Sequence, residues 1–318
     1  MEFQHLSVML EETLRLLDPG RGKVFVDATT GLGGHLLEIA RRIKPDSFLI
    51  GIDQDEAALA IARQRLLDAG FDLQKPRIEL VQGNFRDIQQ ICRSLGVDSV
   101  DGGIIADIGV SSMQLDDPSR GFSFLYDGPL DMRMDRSSGA SAADLLNELS
   151  EKEIADILFR YGEEKQSRQI ARRIVGARPI KNTSELTALV TKQLGSARGK
   201  DKSHPATRTF QALRIAVNDE LNALENFLYE SIRILAAGGR LVVISFHSLE
   251  DRLVKQIFKS LESECICPPK HPICMCSKRR ELKILTRKPL QPEEKETLAN
   301  PRSRSAKLRA GERVIEEE

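Results

Sequence analysis

The 318-residue chain contains no run of about 18 consecutive apolar residues, which excludes a hydrophobic helix spanning a membrane. Its first ten residues lack the basic segment and apolar stretch of a secretory signal, so a cytoplasmic address is expected. No internal repeat or low-complexity segment is present, which sets aside repeat architectures. Net charge is missing as well, with 47 Lys and Arg against 47 Asp and Glu. That neutrality averages over opposed blocks. Residues 165–214 hold twelve basic and two acidic side chains, residues 107–164 five and thirteen, and residues 278–309 eleven and four. Such blocks can be solvated helix faces. Two separate basic ones in a neutral chain nevertheless favour a polyanionic partner over a small neutral substrate.

What is present is a core. Hydrophobic residues make up 41% of the chain and charged residues 30%, which suits one large domain or two moderate ones. Lys23–Thr29 (KVFVDAT), Phe48–Asp53, Ile78–Gly83, Gly102–Gly109 and Arg240–Phe246 are short apolar runs bounded by turn residues, the pattern of strands buried on both faces. Helical periodicity separates them, at His35–Ile43 and at Asp55–Ala69, the latter closed by Gly70. Alternating strand and helix predicts an α/β fold with a parallel sheet. From Asp116 to Leu213 no strand is expected. Ser150-Glu-Lys-Glu153 reads as a capping box, and Ser167–Ala177 and Ser184–Leu194 as further helices. The reading is a sheet domain over 1–115 and 214–318, with an all-helical domain inserted at 116–213. A helix over Val217–Ala237 leads back to the sheet, and the polar stretch from Lys295 reads as a partly mobile tail.

The chemistry concentrates at strand tips. Asp27-Ala-Thr-Thr-Gly31-Leu-Gly33-Gly34-His35 sits where a strand gives way to a helix, where glycines allow close backbone approach and the helix start offers free N–H groups. The third glycine of a dinucleotide fingerprint is missing. An Asp at the strand tip is unfavourable beside a pyrophosphate but suits the ammonium of a methionine moiety, so the turn favours S-adenosylmethionine over NAD. Asp53 ends the second strand, where a carboxylate can accept from both ribose hydroxyls. It can equally be a helix cap, a role open to Asp55 as well. Phe85 is either an adenine-stacking ring or core, and Asp107 ends the fourth strand on the same edge of the sheet.

Further segments are more distinctive. Asp107-Ile-Gly-Val-Ser-Ser-Met-Gln114, His204–Arg214 (HPATRTFQALR) and Ser245–Arg252 (SFHSLEDR), with His5–Glu11 and Asp27–His35, closely resemble the ribosomal RNA small subunit methyltransferase H family. The resemblance runs from His5 to about Arg309. It implies a Rossmann-like S-adenosylmethionine-dependent methyltransferase sheet with an inserted helical substrate-recognition domain. It also implies transfer of a methyl group to the exocyclic N4 of a cytidine in the decoding region of 16S rRNA. The implied substrate is 16S rRNA, with no membrane partner. Free rRNA and the assembled small ribosomal subunit both stay open, the subunit favoured because a one-base target needs surrounding shape, and a homodimer is left open. Carried over by position, the cofactor contacts fall on Gly33, Gly34, His35, Asp53, Phe85, Asp107 and Gln114. The family usually has Pro in place of Ser7 and often in place of Met113, departures that touch loop geometry rather than a functional side chain.

A cytosine amine is a weak nucleophile, but a sulfonium methyl is already activated, so in-line transfer needs alignment and acceptors for the amine protons. Asp107, Ser111 and Ser112 follow the fourth strand and are the candidates, although either serine can be a turn or cap residue. No cysteine follows a proline, which sets aside the Pro-Cys chemistry of C5 methylation, and the Pro-Pro-aromatic motif of DNA amino-methyltransferases is absent after Asp107. Arg168, Arg172 and Arg173 form a candidate clamp for RNA phosphates or else pair with the preceding acidic stretch. His204, Arg208 and Arg214 can face the substrate, and His247 can line a base pocket or serve as a structural hydrogen-bonder. Cys265, Cys267, Cys274 and Cys276 form CxC-x6-CxC, close enough to hold Zn²⁺, although CxxC is the better-attested spacing. No catalytic metal is implied.

Overall fold

In the computed structural model, which describes residues 7–195, 204–267 and 275–314, the apolar runs become the parallel part of a seven-stranded sheet. The strands are β1 (Val24–Asp27), β2 (Phe48–Asp53), β3 (Arg77–Gln82), β4 (Gly103–Asp107), β5 (Arg240–Ser245), β6 (Leu282–Ile284) and β7 (Lys307–Arg313), in the order β3-β2-β1-β4-β5-β7-β6. The first five are parallel. Because side chains alternate across a strand, the sheet feeds two cores. Val26, Ile50, Ile104 and Val243 pack on one face, while Phe25, Leu49, Ile105 and Val242 pack on the other. The second face is covered by α1 (Leu10–Leu17), α2 (Gly34–Ala40) and α3 (Glu56–Asp68). No helix among the described residues is long and apolar enough to cross a membrane.

The chain forms two compact units, one of Met1–Gly109 with Leu221–Glu318 and one of Val110–Glu220. The first holds the sheet together with α4 (Ile88–Ser94). The second is helical: α5 (Ser112–Asp116), α6 (Ala142–Glu148), α7 (Glu151–Gly162), α8 (Ser167–Gly176), α9 (Thr183–Leu194) and α10 (Thr207–Asn218). Its own core includes Leu146, Ile154, Leu158, Ile170, Ile174, Leu186 and Phe210. Within it α7 and α10 approach closely, since a Cβ on Gly162 would meet the Arg208 carbonyl oxygen at 2.6 Å.

Two expectations are corrected. The single helix expected over Val217–Ala237 is two helices, because Asp219 adopts φ 50° and ψ 39° and ends α10. The next, α11 (Glu220–Ile234), begins at once, and α12 (Ser248–Glu262) follows β5; both pack on the first face of the sheet with α4. The stretch from Lys295 is not a tail. It contains most of α13 (Glu294–Ala299) and then β7, which pairs antiparallel with β5 from Arg240↔Glu312 to Ser245↔Lys307. Leu308 and Ala310 are fully buried. The charges that disguise this strand are paired: Arg309 Nε and Lys307 Nζ donate to the two oxygens of Asp251 on α12, at 2.7 and 3.0 Å.

Candidate active site

The strand order reverses at β1, with β2 on one side and β4 on the other, and the carboxyl ends of these strands are where an open α/β sheet binds its ligand. Each of the three ends in an aspartate: Asp27, Asp53 and Asp107. The turn after β1 is tied to both neighbours. Gly31 N–H donates to Asp53 Oδ2 at 2.7 Å, and Asp107 N–H donates to Thr29 Oγ1 at 2.6 Å. Gly33 caps α2 at φ 79°, and a Cβ there would also meet Ala62 Cβ at 2.9 Å, so only glycine fits.

Asp53 Oδ1 also accepts from Asp55 N–H at 2.9 Å, whereas the N-cap of α3 is Asp55, which accepts from Ala57 N–H at 3.1 Å. The two carboxylates thus divide the roles that the sequence leaves open. Each oxygen of Asp53 has a lone pair left for a ligand hydroxyl. His35 is buried, with Nε2 3.0 Å from the Val8 carbonyl and Nδ1 3.8 Å from Asp107 Oδ2. Phe85 opens a short 3₁₀ turn (Phe85–Asp87), packs edge-on to Phe227 with centroids 5.2 Å apart, and stays half-buried.

The site is acidic and costly without a cation. Burial pushes the Asp27 carboxyl up to about 7, against a backbone hydrogen bond from Thr29 and with help from the Asp53 charge. Burial pushes Asp107 up to about 8, reinforced by the charges of Asp27, Glu250 and Glu296. Asp53 is also raised by burial, against the hydrogen bonds from Asp55 and Gly31. Asp27 Oδ2 and Asp107 Oδ1 are buried without a partner. Orphaned carboxylate oxygens at a strand-tip crevice fit a ligand with two positive centres, and S-adenosylmethionine carries an ammonium and a sulfonium.

Other candidates divide differently. Ser111 and Gln114 close a capping box on α5, with Ser111 Oγ accepting from Gln114 N–H at 3.2 Å and Gln114 Oε1 from Ser111 N–H at 3.1 Å. Ser112 is the first residue of that helix. His247 caps α12, its Nδ1 accepting from Glu250 N–H at 3.3 Å and its Nε2 2.9 Å from Glu250 Oε1, a structural use. His204 stacks on Phe124 at 4.6 Å, and Arg214 makes a two-pronged ion pair with Glu220 at 2.8 Å. Arg168, Arg172 and Arg173 are exposed on α8; Arg172 lies 3.6 Å from Glu151, and Arg173 donates to Gln193 at 2.5 Å. His5 and Cys274 lie outside the described residues. Thr29 is a site residue that sequence reasoning passes over. Its signal is the hydroxyl pair inside Asp27-Ala-Thr-Thr, a natural acceptor for a neighbouring strand tip.

Carboxylates on three adjacent parallel strand tips, over a glycine turn that opens a helix, define a Rossmann-like methyltransferase that uses S-adenosylmethionine. The chain belongs to the MraW methylase family, whose model matches residues 2–314. It is 49% identical over 316 residues to the ribosomal RNA small subunit methyltransferase H of Geobacter sp. (strain M21), covering 98% of this chain and 99% of that one. The protein of the same name from Carboxydothermus hydrogenoformans is 49% identical over 317 residues, with 99% of each chain covered. That from Clostridium botulinum (strain Kyoto / Type A2) is 48% identical over 317 residues, covering 99% of this chain and 100% of the other.

Proposed function

We propose that this chain methylates the exocyclic N4 of one cytidine in the decoding region of 16S rRNA, presented within the small ribosomal subunit. The near-complete overlap with relatives named for small-subunit rRNA methylation carries the RNA substrate. The choice of N4 rests on the resemblance of Asp107–Gln114 and Ser245–Arg252 to the family.

The assignment of residues follows the site. Gly33, Gly34 and His35 frame the turn that receives the cofactor, Asp53 holds its ribose, and Phe85 supplies the ring that stacks on the adenine. Gln114 is assigned by resemblance alone. The cofactor supplies an electrophilic methyl group. Asp107 receives an amine proton of the base: ionised beside a cation, its unpartnered Oδ1 is an acceptor, and accepting favours rehybridisation of the nitrogen. Ser111 and Ser112 come next in the chain and contribute backbone and turn geometry rather than a base. The Val110–Glu220 unit reads the rRNA, with the exposed guanidiniums of α8 on phosphates. A stacked target base must leave its helix to be methylated.

The purified chain is tested on naked 16S rRNA and on small subunits isolated from a strain lacking this gene, followed by nucleoside mass spectrometry. N4-methylcytidine on the subunit is the expected product. A methyl group elsewhere on the base, or none on either substrate, overturns the reading.

A further inference from the structure

Among the described residues between α12 and β6, Ile266 is 67% and Met275 81% exposed. Three thiols nevertheless converge there. The sulfurs of Cys265, Cys267 and Cys276 all lie within 4.8 Å of one another. Cys265 and Cys276 are 11 residues apart in the chain, and their sulfurs are 3.7 Å apart, so no single tight turn brings them together. Two sulfurs bound at about 2.3 Å to one tetrahedral ion lie about 3.8 Å apart, whereas a disulfide brings them to about 2.05 Å. The backbone holds the sulfurs in place. Ile266 N–H donates to Cys276 Sγ at 3.4 Å and Cys267 N–H to Cys265 Sγ at 3.3 Å. Such bonds orient metal-binding sulfurs.

We propose that Cys265, Cys267 and Cys276 form a structural site for zinc that clips the end of α12 to the start of β6. Zinc is the divalent ion that best matches compact tetrahedral thiolate geometry. Binding forms three Zn–S bonds and sends to solvent one proton from each cysteine still protonated. The fourth position is filled by solvent or a further donor. The clip has a mechanical role, because β6 is an edge strand of only three residues, tied to α12 by Glu281 N–H donating to the Leu261 carbonyl at 2.8 Å. The proposal is independent of the rRNA assignment.

The full-length chain, purified under reducing conditions without chelator, is assayed for zinc by plasma mass spectrometry. About one zinc per chain is expected, falling to under about one-tenth in Cys265→Ser and Cys276→Ser. Cys92→Ala, in the buried core, keeps its zinc. Cobalt titration of the metal-free wild-type chain reads the site without any variant and should give tetrahedral thiolate absorption saturating at about one equivalent. Three results each overturn the proposal. They are a zinc-poor wild-type chain with no saturable cobalt spectrum, zinc retained in both serine variants, or a Cys265–Cys276 disulfide in the reduced preparation.

Discussion

Loading the cofactor should expel protons from the site. With Asp27 at about 7 and Asp107 at about 8, the cofactor-free chain at pH 7 carries about half a proton on one and nine-tenths on the other. Positive centres placed against them favour the ionised forms. If both return to the ordinary carboxylate range, binding releases up to about 1.4 protons at pH 7 and about 0.6 at pH 8. Affinity then rises with pH, by up to about 500-fold from pH 6 to pH 8. The α-amino group of the ligand titrates at about 7.7–8.0 and works in the opposite sense. S-adenosylhomocysteine carries the same amine without the sulfonium, so the difference between the two ligands isolates the sulfonium's effect on the carboxyls. Calorimetry in buffers of different ionisation enthalpy counts the protons. The methylated ligand should release up to about nine-tenths of a proton more than the demethylated one at pH 7, the proton that Asp107 holds, and Asp107→Asn should remove most of that difference. Equal release for both ligands, or a difference untouched in Asp107→Asn, refutes the reasoning.

The same carboxyls govern the stability of the free chain. Their folded values lie above the unfolded one, so their contribution is complete below about pH 4 and is lost as pH rises toward 7 and 8. The Tm of the cofactor-free chain should fall from pH 6 to pH 8, and Asp107→Asn should flatten that slope. Gly33→Ala forces a side chain into a left-handed conformation and against Ala62; a loss of about 2 kcal/mol in urea unfolding and weaker cofactor binding are expected. Asp251→Ala leaves the buried Arg309 without its acceptor and should cost about 3 kcal/mol by the same measurement. Arg168→Glu with Arg172→Glu should weaken binding to the small subunit. It should also lower the slope of log K against log salt by about one for each phosphate no longer neutralised, read by filter binding across a salt series.

The parallel half of the sheet was legible because strands buried on both faces must be apolar along their length, as FLIGID and GGIIADIG are. β7 escaped the same test. Its Lys307, Arg309, Glu312 and Arg313 look solvated, and only a partner 56 to 58 residues away, Asp251, makes two of those charges tolerable inside the fold. The strand-tip aspartates were equally legible, since an acidic residue ending an apolar run has few structural reasons to be there. Which of Asp53 and Asp55 capped the helix was not, because both spacings allow it and the choice is made by Gly31 across the turn. His35 was found through resemblance. Its contact with the Val8 carbonyl joins segments whose proximity no local pattern encodes.

The placement of β7 has a consequence during synthesis. β5 must wait for partner residues 62 to 72 positions downstream before its outer edge is covered, as the pairing of Ser245 with Lys307 and of Arg240 with Glu312 requires. Until the ribosome has delivered them, the nascent chain exposes one side of an apolar strand, the kind of edge that recruits other chains. A truncation before Lys307 would therefore do more than trim the protein. It would leave every molecule in the state that translation passes through only briefly, and aggregation rather than loss of catalysis would be its first symptom.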